Sequence, residues 1–427
     1  MRIVSALLTL AAPAALAGQL NPPAVPQPTP GPEPRTPLSD QTTPGDASFE
    51  FIITDPGSYY FADNHRVEPG MSGILIRSDN VTIDLCGFEL RSASSLSFGL
   101  ARLGILVERF PTLPPAPLEN RVGIVVRNGT VRNFSEQGLD FSESDGARVE
   151  GLTVTGCLGD GIQAGSNALV TGCVVRENSD GITTGSHSLI VDCVAEGNSG
   201  DGISAGAQST VSRCVAADNG GRGITGDNAV NVLGCTATGN AEAGIQGFTG
   251  CVVRDSVCAA NDVGIDVGQS SVVQSCTATS NTTAGIDAGP RSIVERCTVR
   301  GPTVTGITAG AAAQIIGCSV TLCTADGILA TGDAVIRDNS CDGNFNSGAP
   351  LANGIRVTQQ GNRIEGNHLS FNEQGVVTTL SGNLIIRNTA EGLGQNHFGG
   401  VTGGNLLGTV RTDLTNAGPW DNIAYSF

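Results

Sequence analysis

The sequence predicts an all-β solenoid, in which the chain coils through short strands stacked one above another. The main observation is a repeat in which the dipeptide Gly-Ile returns about every 21 residues between Gly161 and Cys341. A period this short indicates stacked units, each too small to bury its own apolar face. The repeat glycines are Gly161, Gly181, Gly202, Gly223, Gly244, Gly264, Gly285, Gly306 and Gly327.

Each repeat carries β-branched and small apolar residues at fixed positions, which predicts strands rather than helices. If the repeat glycine is position zero, position nine is always valine or isoleucine and position fourteen is alanine, valine or cysteine. Because positions twelve and fourteen lie two residues apart, we expect both side chains on the inward face of one strand. Position twelve is cysteine in seven repeats: Cys173, Cys193, Cys214, Cys235, Cys276, Cys297 and Cys318.

Position seventeen predicts a ladder of stacked asparagine side chains. Asparagine tolerates left-handed backbone, and identical amides on successive coils can hydrogen-bond to one another. We expect the ladder to break at Pro302 and Cys323, which take this position in two coils. The asparagines are Asn178, Asn198, Asn219, Asn240, Asn261, Asn281 and Asn344.

A 21-residue coil of short strands and asparagine turns, with inward valine, isoleucine and cysteine, resembles the right-handed parallel β-helix, or pectin-lyase-like fold. The resemblance implies the right-handed sense of coiling. Outside the regular repeats the chain is similar to a group of secreted bacterial β-helix proteins, in Pro56-Gly-Ser-Tyr-Tyr60, Val81-Thr-Ile-Asp-Leu-Cys-Gly-Phe88 and Asn362-Arg-Ile-Glu-Gly-Asn367. We therefore expect a single-stranded right-handed parallel β-helix with capped ends and roughly a dozen coils.

The segments around the repeats predict an exported protein. Residues 1–17 read as a secretory signal peptide, with cleavage after Ala17. Residues 18–46 hold nine prolines and predict an extended linker before a β-helix domain over residues 47–427. Within that domain we expect an insertion loop at 92–120, regular repeats at 161–341 and a C-terminal cap at 389–427. The expected location is the periplasm or the extracellular space.

The amino-acid composition limits the classes of partner that we expect this protein to bind. The chain has 40 acidic residues against 23 basic ones, all arginine, and a net charge of −17 at pH 7. This charge disfavours nucleic acid bound through its phosphates and docking on an anionic membrane surface. No apolar run after the signal peptide is long enough to span a bilayer. The expected partner is a polysaccharide or another polymer of the cell envelope.

Thirteen cysteines in an exported chain suggest disulfides, yet their spacing favours buried thiols. In-register side chains on parallel strands lie about 4.8 Å apart, whereas a disulfide needs Cβ atoms about 3.8 Å apart and turned toward each other. Buried free cysteine packs as a small hydrophobe. Two pairs remain open to oxidation, Cys251 with Cys258 and Cys318 with Cys323. No cysteine or histidine cluster has zinc-site spacing, so no metal site is expected.

β-Helix lyases and epimerases act on acidic sugars, and the resemblance implies a base and cations on one outer sheet face. The outward position two, from Gln163 to Leu329, holds no basic residue in this chain. Candidates for a catalytic site are therefore three arginines near the 92–120 insertion: Arg91, Arg102 and Arg109.

Asp266 and Asp287 are candidates for ligand binding, because both occupy the outward position two on adjacent coils. Two such carboxylates repel by only about 1 kcal/mol in water, so no cation is required between them. No cofactor is expected, although the pair leaves Ca²⁺ open as a ligand.

Two functions fit these patterns. The leading hypothesis is an exported, noncatalytic scaffold or binding protein, because rows of Thr, Ser, Gln and Asp suit repeated weak contacts better than one transition state. The alternative is a carbohydrate-active enzyme, namely a polysaccharide lyase, epimerase or glycoside hydrolase, and only the likeness of fold supports it.

Overall fold

The computed structural model describes residues 35–93, 102–109, 119–301, 304–346, 352–391, 397–398, 400–401, 403–412 and 417–425. The predicted signal peptide and most of the predicted linker lie outside these residues. All regular secondary structure in the described part is β, and its strands pair in parallel along a solenoid. The all-β solenoid predicted from the repeat is therefore confirmed.

Sheet 1 contains 16 strands, one from each coil. Successive strands pair in register, so that Ile162 lies beside Ile182, which lies beside Ile203. There are more coils than the predicted dozen because the first and last coils belong to the solenoid without carrying the regular period. The strands are Phe49–Ile53, Ser72–Ile76, Ile105–Val107, Leu139–Phe141, Ile162–Ala164, Ile182–Thr184, Ile203–Ala205, Ile224–Gly226, Ile245–Gly247, Val263–Val267, Ala284–Ala288, Thr305–Ala309, Ile328–Ala330, Asn353–Val357, Gln374–Thr378 and Gly400–Val401.

Sheet 2 contains 32 strands, because most coils contribute two strands that meet at a bend. These strands are Thr36–Pro37, Gly57–Tyr60, His65–Val67, Val81–Asp84, Glu89–Ser92, Val125–Arg132, Arg148–Thr155, Leu169–Thr171, Val174–Arg176, Leu189–Val191, Val194–Glu196, Thr210–Ser212, Val215–Ala217, Asn231–Leu233, Thr236–Thr238, Val252–Arg254, Val257–Ala259, Val272–Gln274, Thr277–Thr279, Ile293–Glu295, Thr298–Arg300, Gln314–Ile316, Ser319–Thr321, Val335–Arg337, Ser340–Asp342, Arg363–Glu365, His368–Ser370, Leu384–Ile386, Thr389–Glu391, Leu406–Leu407, Val410–Arg411 and Asn422–Tyr425. Two further strands, Arg121–Val122 and Ser144–Asp145, pair with each other.

Three bends per regular coil turn the chain from one strand to the next. Each bend has one residue with left-handed backbone, at positions six, eleven and sixteen of the repeat. In the coil that starts at Gly202 these residues are Gln208, Arg213 and Asp218, with φ of 61°, 53° and 53°. The residue after each bend points inward and is buried, as in Ser209, Cys214 and Asn219. The position-twelve cysteines therefore face the core as predicted, although they lie at a bend rather than within a strand.

The repeat glycine is required because neighbouring coils approach too closely for a side chain. A Cβ built on Gly223 would lie 2.5 Å from the carbonyl oxygen of Gly244 and 2.6 Å from Nδ2 of Asn240. The same clash occurs one coil earlier, where a Cβ on Gly202 would lie 2.7 Å from the carbonyl oxygen of Gly223. These glycines form a continuous spine along sheet 1, and steric contact between coils explains why the residue repeats.

The ordered domain begins earlier than the predicted boundary near Ala47. Thr36 and Pro37 pair with Tyr59 and Tyr60 in sheet 2. Leu38 is only 8% exposed and packs in the main hydrophobic core. The end of the proline-rich segment therefore covers the first coil instead of continuing as a linker, because it contributes a buried apolar side chain.

The predicted insertion loop at 92–120 contains part of a regular coil, so that boundary is wrong. Ile105–Val107 is a strand of sheet 1 that pairs with Ile74–Ile76, and Ile105 and Val107 are fully buried. The reason is visible in the sequence, since Gly104-Ile105 repeats the Gly-Ile start of the later coils. Residues 94–101 and 110–118 lie outside the described part.

Candidate functional site

The predicted asparagine ladder is present as a column of buried amides, called here the amide column. Asn219 Oδ1 accepts hydrogen bonds from the backbone N–H of Asn198, at 3.1 Å, and from its Nδ2, at 2.9 Å. Asn219 Nδ2 donates to Asn240 Oδ1 at 2.9 Å and to the carbonyl of Ala195 at 3.2 Å. Each amide thus bonds to the coils on both sides. The column consists of Asn178, Asn198, Asn219, Asn240, Asn261 and Asn281, and continues at Asn344 and Asn372.

The position-twelve cysteines form a second internal column, called here the thiol column. All seven are at most 2% exposed. Cys214 Sγ donates to the carbonyl oxygens of Ser212, at 3.3 Å, and Ile190, at 3.6 Å. A hydrogen bond with Cys193 and burial raise the pKa of Cys214 to about 12, so its thiol stays protonated and unreactive at neutral pH. Asn339 continues the column, because its Oδ1 accepts the backbone N–H of Cys318 at 2.9 Å.

The two cysteine pairs left open by the sequence face other partners in the structure. Cys251 Sγ donates to the carbonyl of Asp227 at 3.2 Å, while Cys258 is fully buried inside a strand of sheet 2. Cys318 Sγ donates to the carbonyl of Val294 at 3.6 Å. All thirteen cysteines lie in the described part of the chain and are free thiols there, and only Cys86 is exposed. Their redox state in solution stays a prediction.

The outer face of sheet 1 presents one side chain per coil, and this set is called here the outer row. Its central members pair in register, from Gln246 through Asp266 and Asp287 to Thr308. Gln246 Nε2 donates to Asp266 Oδ2 at 2.8 Å. Partial desolvation and the Asp266 carboxylate raise the pKa of Asp287, although the side chain as a whole is exposed. The row consists of Asp140, Gln163, Thr183, Ser204, Thr225, Gln246, Asp266, Asp287, Thr308, Leu329 and Arg356.

Arg356 belongs to the outer row and was not found by following the regular repeats to Leu329. Its Nε and Nη2 both lie 2.6 Å from Oδ2 of Asp326, a residue that is 2% exposed. Asn353 Nδ2 donates to the other oxygen of the same carboxylate at 2.6 Å. Gly354-Ile355 just before it has the repeat signature, so the register could have been extended past the longer coil. This ion pair holds the guanidinium in place.

The three candidate arginines do not converge. Arg91 lies in sheet 2 and its Nε is 3.2 Å from Glu89 Oε1. Arg109 Nε is 3.0 Å from Glu143 Oε1, at the end of a sheet 1 strand. Arg102 is 8% exposed and precedes the same strand. Arg102 and Arg109 lie on opposite sides of the strand Ile105–Val107 in the sequence. Arg91 and Arg109 thus contact different carboxylates on different sheets, and the assignment of the three arginines as catalytic residues stays a prediction.

The last coils carry a feature that the sequence patterns did not indicate, called here the C-terminal groove. It is an open groove of about 450 Å³ lined by Arg363, Leu384, Ile386, Leu406, Leu407, Gly408 and Trp420. The guanidinium carbon of Arg387 lies 4.8 Å from the centre of the Trp420 ring. The wall residue Trp420 lies beyond the last repeat and outside the strands of sheet 2, so no repeat pattern points to the groove.

The residues that the structure describes bear on two further properties, metal binding and membrane insertion. Among them, no group of three or more His, Cys, Asp or Glu side chains could hold a metal ion. That no cofactor is needed, with Ca²⁺ left open as a ligand of Asp266 and Asp287, stays an expectation from the sequence. No helix in the described part is long and apolar enough to cross a membrane.

Several solved structures and one family model are similar to this chain. Three solved structures are similar at low identity: the periplasmic alginate epimerase AlgG (13% identity, 81% of this chain and 85% of that one, TM-score 0.39), the A-module of the Azotobacter vinelandii mannuronan C-5 epimerase AlgE4 (14%, 81% and 91%, 0.37), and an N-terminal fragment of bacteriophage Phi29 gene product 12 (13%, 79% and 65%, 0.44). No curated protein matches the sequence significantly. The family model for the right handed beta helix region matches residues 118–252, 183–304 and 263–405. These matches span more than half of the chain, which therefore belongs to the right-handed β-helix family.

Proposed function

We propose that this protein is an exported, noncatalytic scaffold that binds an extended glycan along the outer row of sheet 1. The observation that carries the proposal is the continuity of the row. Nine successive coils, from Asp140 to Thr308, each present a hydroxyl, amide or carboxylate in register. At the spacing of parallel strands this array extends roughly 40 Å, which suits a linear polymer better than a compact ligand. Export rests on the signal peptide predicted at residues 1–17.

Binding is favoured over catalysis because the row spreads its polar groups instead of converging them. A lyase or epimerase needs a base and a cation at one sugar carbon. The one arginine of the outer row, Arg356, is engaged by the buried carboxylate of Asp326. Hydroxyl and amide groups on successive coils can instead donate to and accept from successive sugar hydroxyls. Weak contacts repeated in this way add up over the length of the polymer.

A matched pair of substitutions tests which face of the solenoid binds the glycan. Gln246 on sheet 1 and Gln274 on sheet 2 each donate an amide hydrogen bond to a carboxylate one coil further on, at 2.8 Å and 3.2 Å. Affinity for a panel of uronic-acid and neutral polysaccharides would be measured by affinity electrophoresis. We expect Gln246→Leu to weaken binding about threefold or more, as loss of one hydrogen bond implies, and Gln274→Leu to leave it unchanged. Equal effects of both variants would contradict the proposal.

A second function, glycoside hydrolysis, is favoured by Asp266 and Asp287. One carboxyl group has a raised pKa beside a second carboxylate on the adjacent coil, which is the arrangement of an acid and a nucleophile. Retaining glycosidases hold such groups about 5–5.5 Å apart, close to the spacing of stacked strands. Release of reducing ends from neutral glycans, abolished by Asp266→Asn and by Asp287→Asn, would establish hydrolysis and overturn the noncatalytic proposal.

A further inference from the structure

We propose that the C-terminal groove is a second binding site, separate from the outer row, which takes a carboxylate-bearing sugar. The inference shares only its class of ligand with the proposed function. It depends on other residues, at the other sheet, and holds even if the outer row binds nothing.

The floor of the groove is an apolar stripe that runs across three coils of sheet 2. Arg363 pairs in register with Leu384, and Leu384 pairs with Leu406. Leu406 is 72% exposed, and Leu407 beside it is 37% exposed. Side chains this apolar and this exposed are unusual in a soluble chain unless something covers them. The stripe is therefore suited to the C–H face of a ring.

Trp420 forms one wall of the groove and is 55% exposed. The carbonyl of Trp420 is close enough to Gly408 that a Cβ there would meet it, so the backbone on this side is packed against the last coil. Arg387 contacts the ring with its guanidinium carbon 4.8 Å from the ring centre, and its Nε donates to the carbonyl of Pro419 at 2.8 Å. A fixed indole beside an apolar floor offers a stacking surface for a flat or cyclic ligand.

The charge at the rim of the groove is positive, in contrast to the chain as a whole. Glu365 accepts a hydrogen bond from Arg363 Nε at 2.6 Å and from Arg387 Nη1 at 3.0 Å. Two guanidinium groups against one carboxylate leave a local excess of +1, in a protein whose net charge is −17. The Arg363 side chain is 50% exposed, and a guanidinium has five donors, so it can bond a ligand carboxylate while holding Glu365. Stacking and charge together select an acidic sugar over a neutral one.

A second copy of this chain is the main competing occupant, because its acidic surface would also complement the arginines. A stable protein interface usually buries about 800 Å² on each partner. The groove is lined by only seven residues, which suits one or two sugar rings better than a protein surface. The experiment below includes this occupant among its outcomes.

Trp420 makes the site directly observable, because it is the only tryptophan in the chain. The full chain would be titrated with oligouronates and with neutral oligosaccharides of equal length while indole fluorescence is followed. We expect a saturable change with the oligouronates only. Arg363→Gln should weaken their binding about tenfold, the effect of losing one charge-assisted bond. The matched control is Arg213→Gln, which removes an exposed arginine paired with Asp192 in the regular repeats. It should leave oligouronate binding unchanged.

A second pair of variants keeps the test informative if Arg363→Gln fails to fold. Leu406 is so exposed that Leu406→Glu and Leu406→Arg should both fold; both remove part of the apolar floor, but the glutamate also repels a carboxylate, so Leu406→Glu should weaken oligouronate binding clearly more than Leu406→Arg. An equal response to neutral sugars, or no saturable response, would overturn the inference. A fluorescence change that depends only on protein concentration would assign the groove to a second copy instead. The outer-row variant Gln246→Leu should leave the indole response intact, so failure of the proposed function and failure of this inference are distinguishable.

Discussion

The amide column and the outer row repeat with the same period but obey different rules. Both place one polar side chain on each coil at the spacing of parallel strands, about 4.8 Å. In the amide column the residue is asparagine in six consecutive coils, and every amide is at most 3% exposed. In the outer row the residue changes from coil to coil among Asp, Gln, Thr and Ser.

The difference shows that the interior requires the same residue type on every coil, because its hydrogen-bonding groups must all pair with one another in the absence of water. An amide whose partner on the next coil is lost leaves a buried donor or acceptor unpaired, at a cost of about 1–3 kcal/mol for each group. A side chain in the outer row can turn to solvent instead. Strict repetition in this sequence therefore indicates structure, whereas variation at a regular spacing indicates a surface that is free to acquire a ligand.

The largest expected effect comes from removing one amide. Asn219→Ala leaves the backbone N–H and the side chain of Asn198 without their acceptor, and we expect a loss of about 4 kcal/mol in the free energy of unfolding. Cys214→Ala, in the same coil, removes only weak thiol bonds and one buried sulfur, for about 1–2 kcal/mol. Chemical denaturation of both variants would measure the difference. Similar losses would mean that the two columns are energetically equivalent and would break the comparison.

The glycine spine provides the next largest effect. Gly223→Ala places a Cβ 2.5 Å from the carbonyl oxygen of Gly244, and we expect a loss of about 3 kcal/mol from overpacking. The control is Gly234→Asn, because Gly234 has φ of 62° and open space around its Cα, which asparagine tolerates. Thermal unfolding should separate the two clearly. A well-tolerated Gly223→Ala would show that the coils can move apart.

Thiol reactivity tests whether the thiol column is part of the buried interior, like the amide column, or is accessible from the surface, like the outer row. In the folded protein we expect only the exposed Cys86 to react with a thiol reagent, because the other twelve cysteines are buried. After denaturation without reductant, most of the thirteen should react, as predicted for reduced thiols. The count is read by absorbance. Almost no reactive thiol after denaturation would mean that disulfides form in solution.

The smallest effect is expected on the outer row, at Asp287. Partial desolvation and the Asp266 carboxylate raise the pKa of this exposed side chain, so the folded state holds the proton more tightly than the unfolded chain, where the pKa is about 3.9. The free energy of unfolding therefore falls as pH rises from the unfolded pKa through the folded pKa, and ionised Asp287 destabilises the folded protein at neutral pH. Asp287→Asn should raise the melting temperature by about 1 °C at pH 7 and have no effect below about pH 3.5.

The control for this pH dependence has the opposite sign. A hydrogen bond from Arg213 lowers the pKa of Asp192, so its stabilising contribution is present above the unfolded value and is lost as pH falls through the folded one. Asp192→Asn should therefore lower the melting temperature at pH 7, and the difference should shrink in acid. If both variants shifted in the same direction, the asparagine substitution itself, and not the carboxylate charge, would be responsible.

The sequence was sufficient to predict the coils because each is built from the same few contacts. Val211 and Cys214 face inward and Asn219 belongs to a ladder, as predicted, since one residue type satisfies the same contact on successive coils. The reason for the glycine was not visible, because it depends on the distance between coils. The C-terminal groove could not be predicted, because Arg363 and Leu384 keep the 21-residue spacing but Trp420, which forms the wall of the groove, has no counterpart in the repeat.

Because of the glycine spine, the length of the solenoid can change only by whole coils. Each repeat glycine lies close to the glycine of the next coil and to the amide-column asparagine of its own coil, so removing residues 223–243 would join the coil of Gly202 to that of Gly244 through the same kinds of contact. Such a deletion shortens the solenoid by one step of about 4.8 Å, whereas a deletion of half a period would place outward residues in the core. Gene duplication or loss of a single period can therefore adjust how far the protein reaches without redesigning any contact within it.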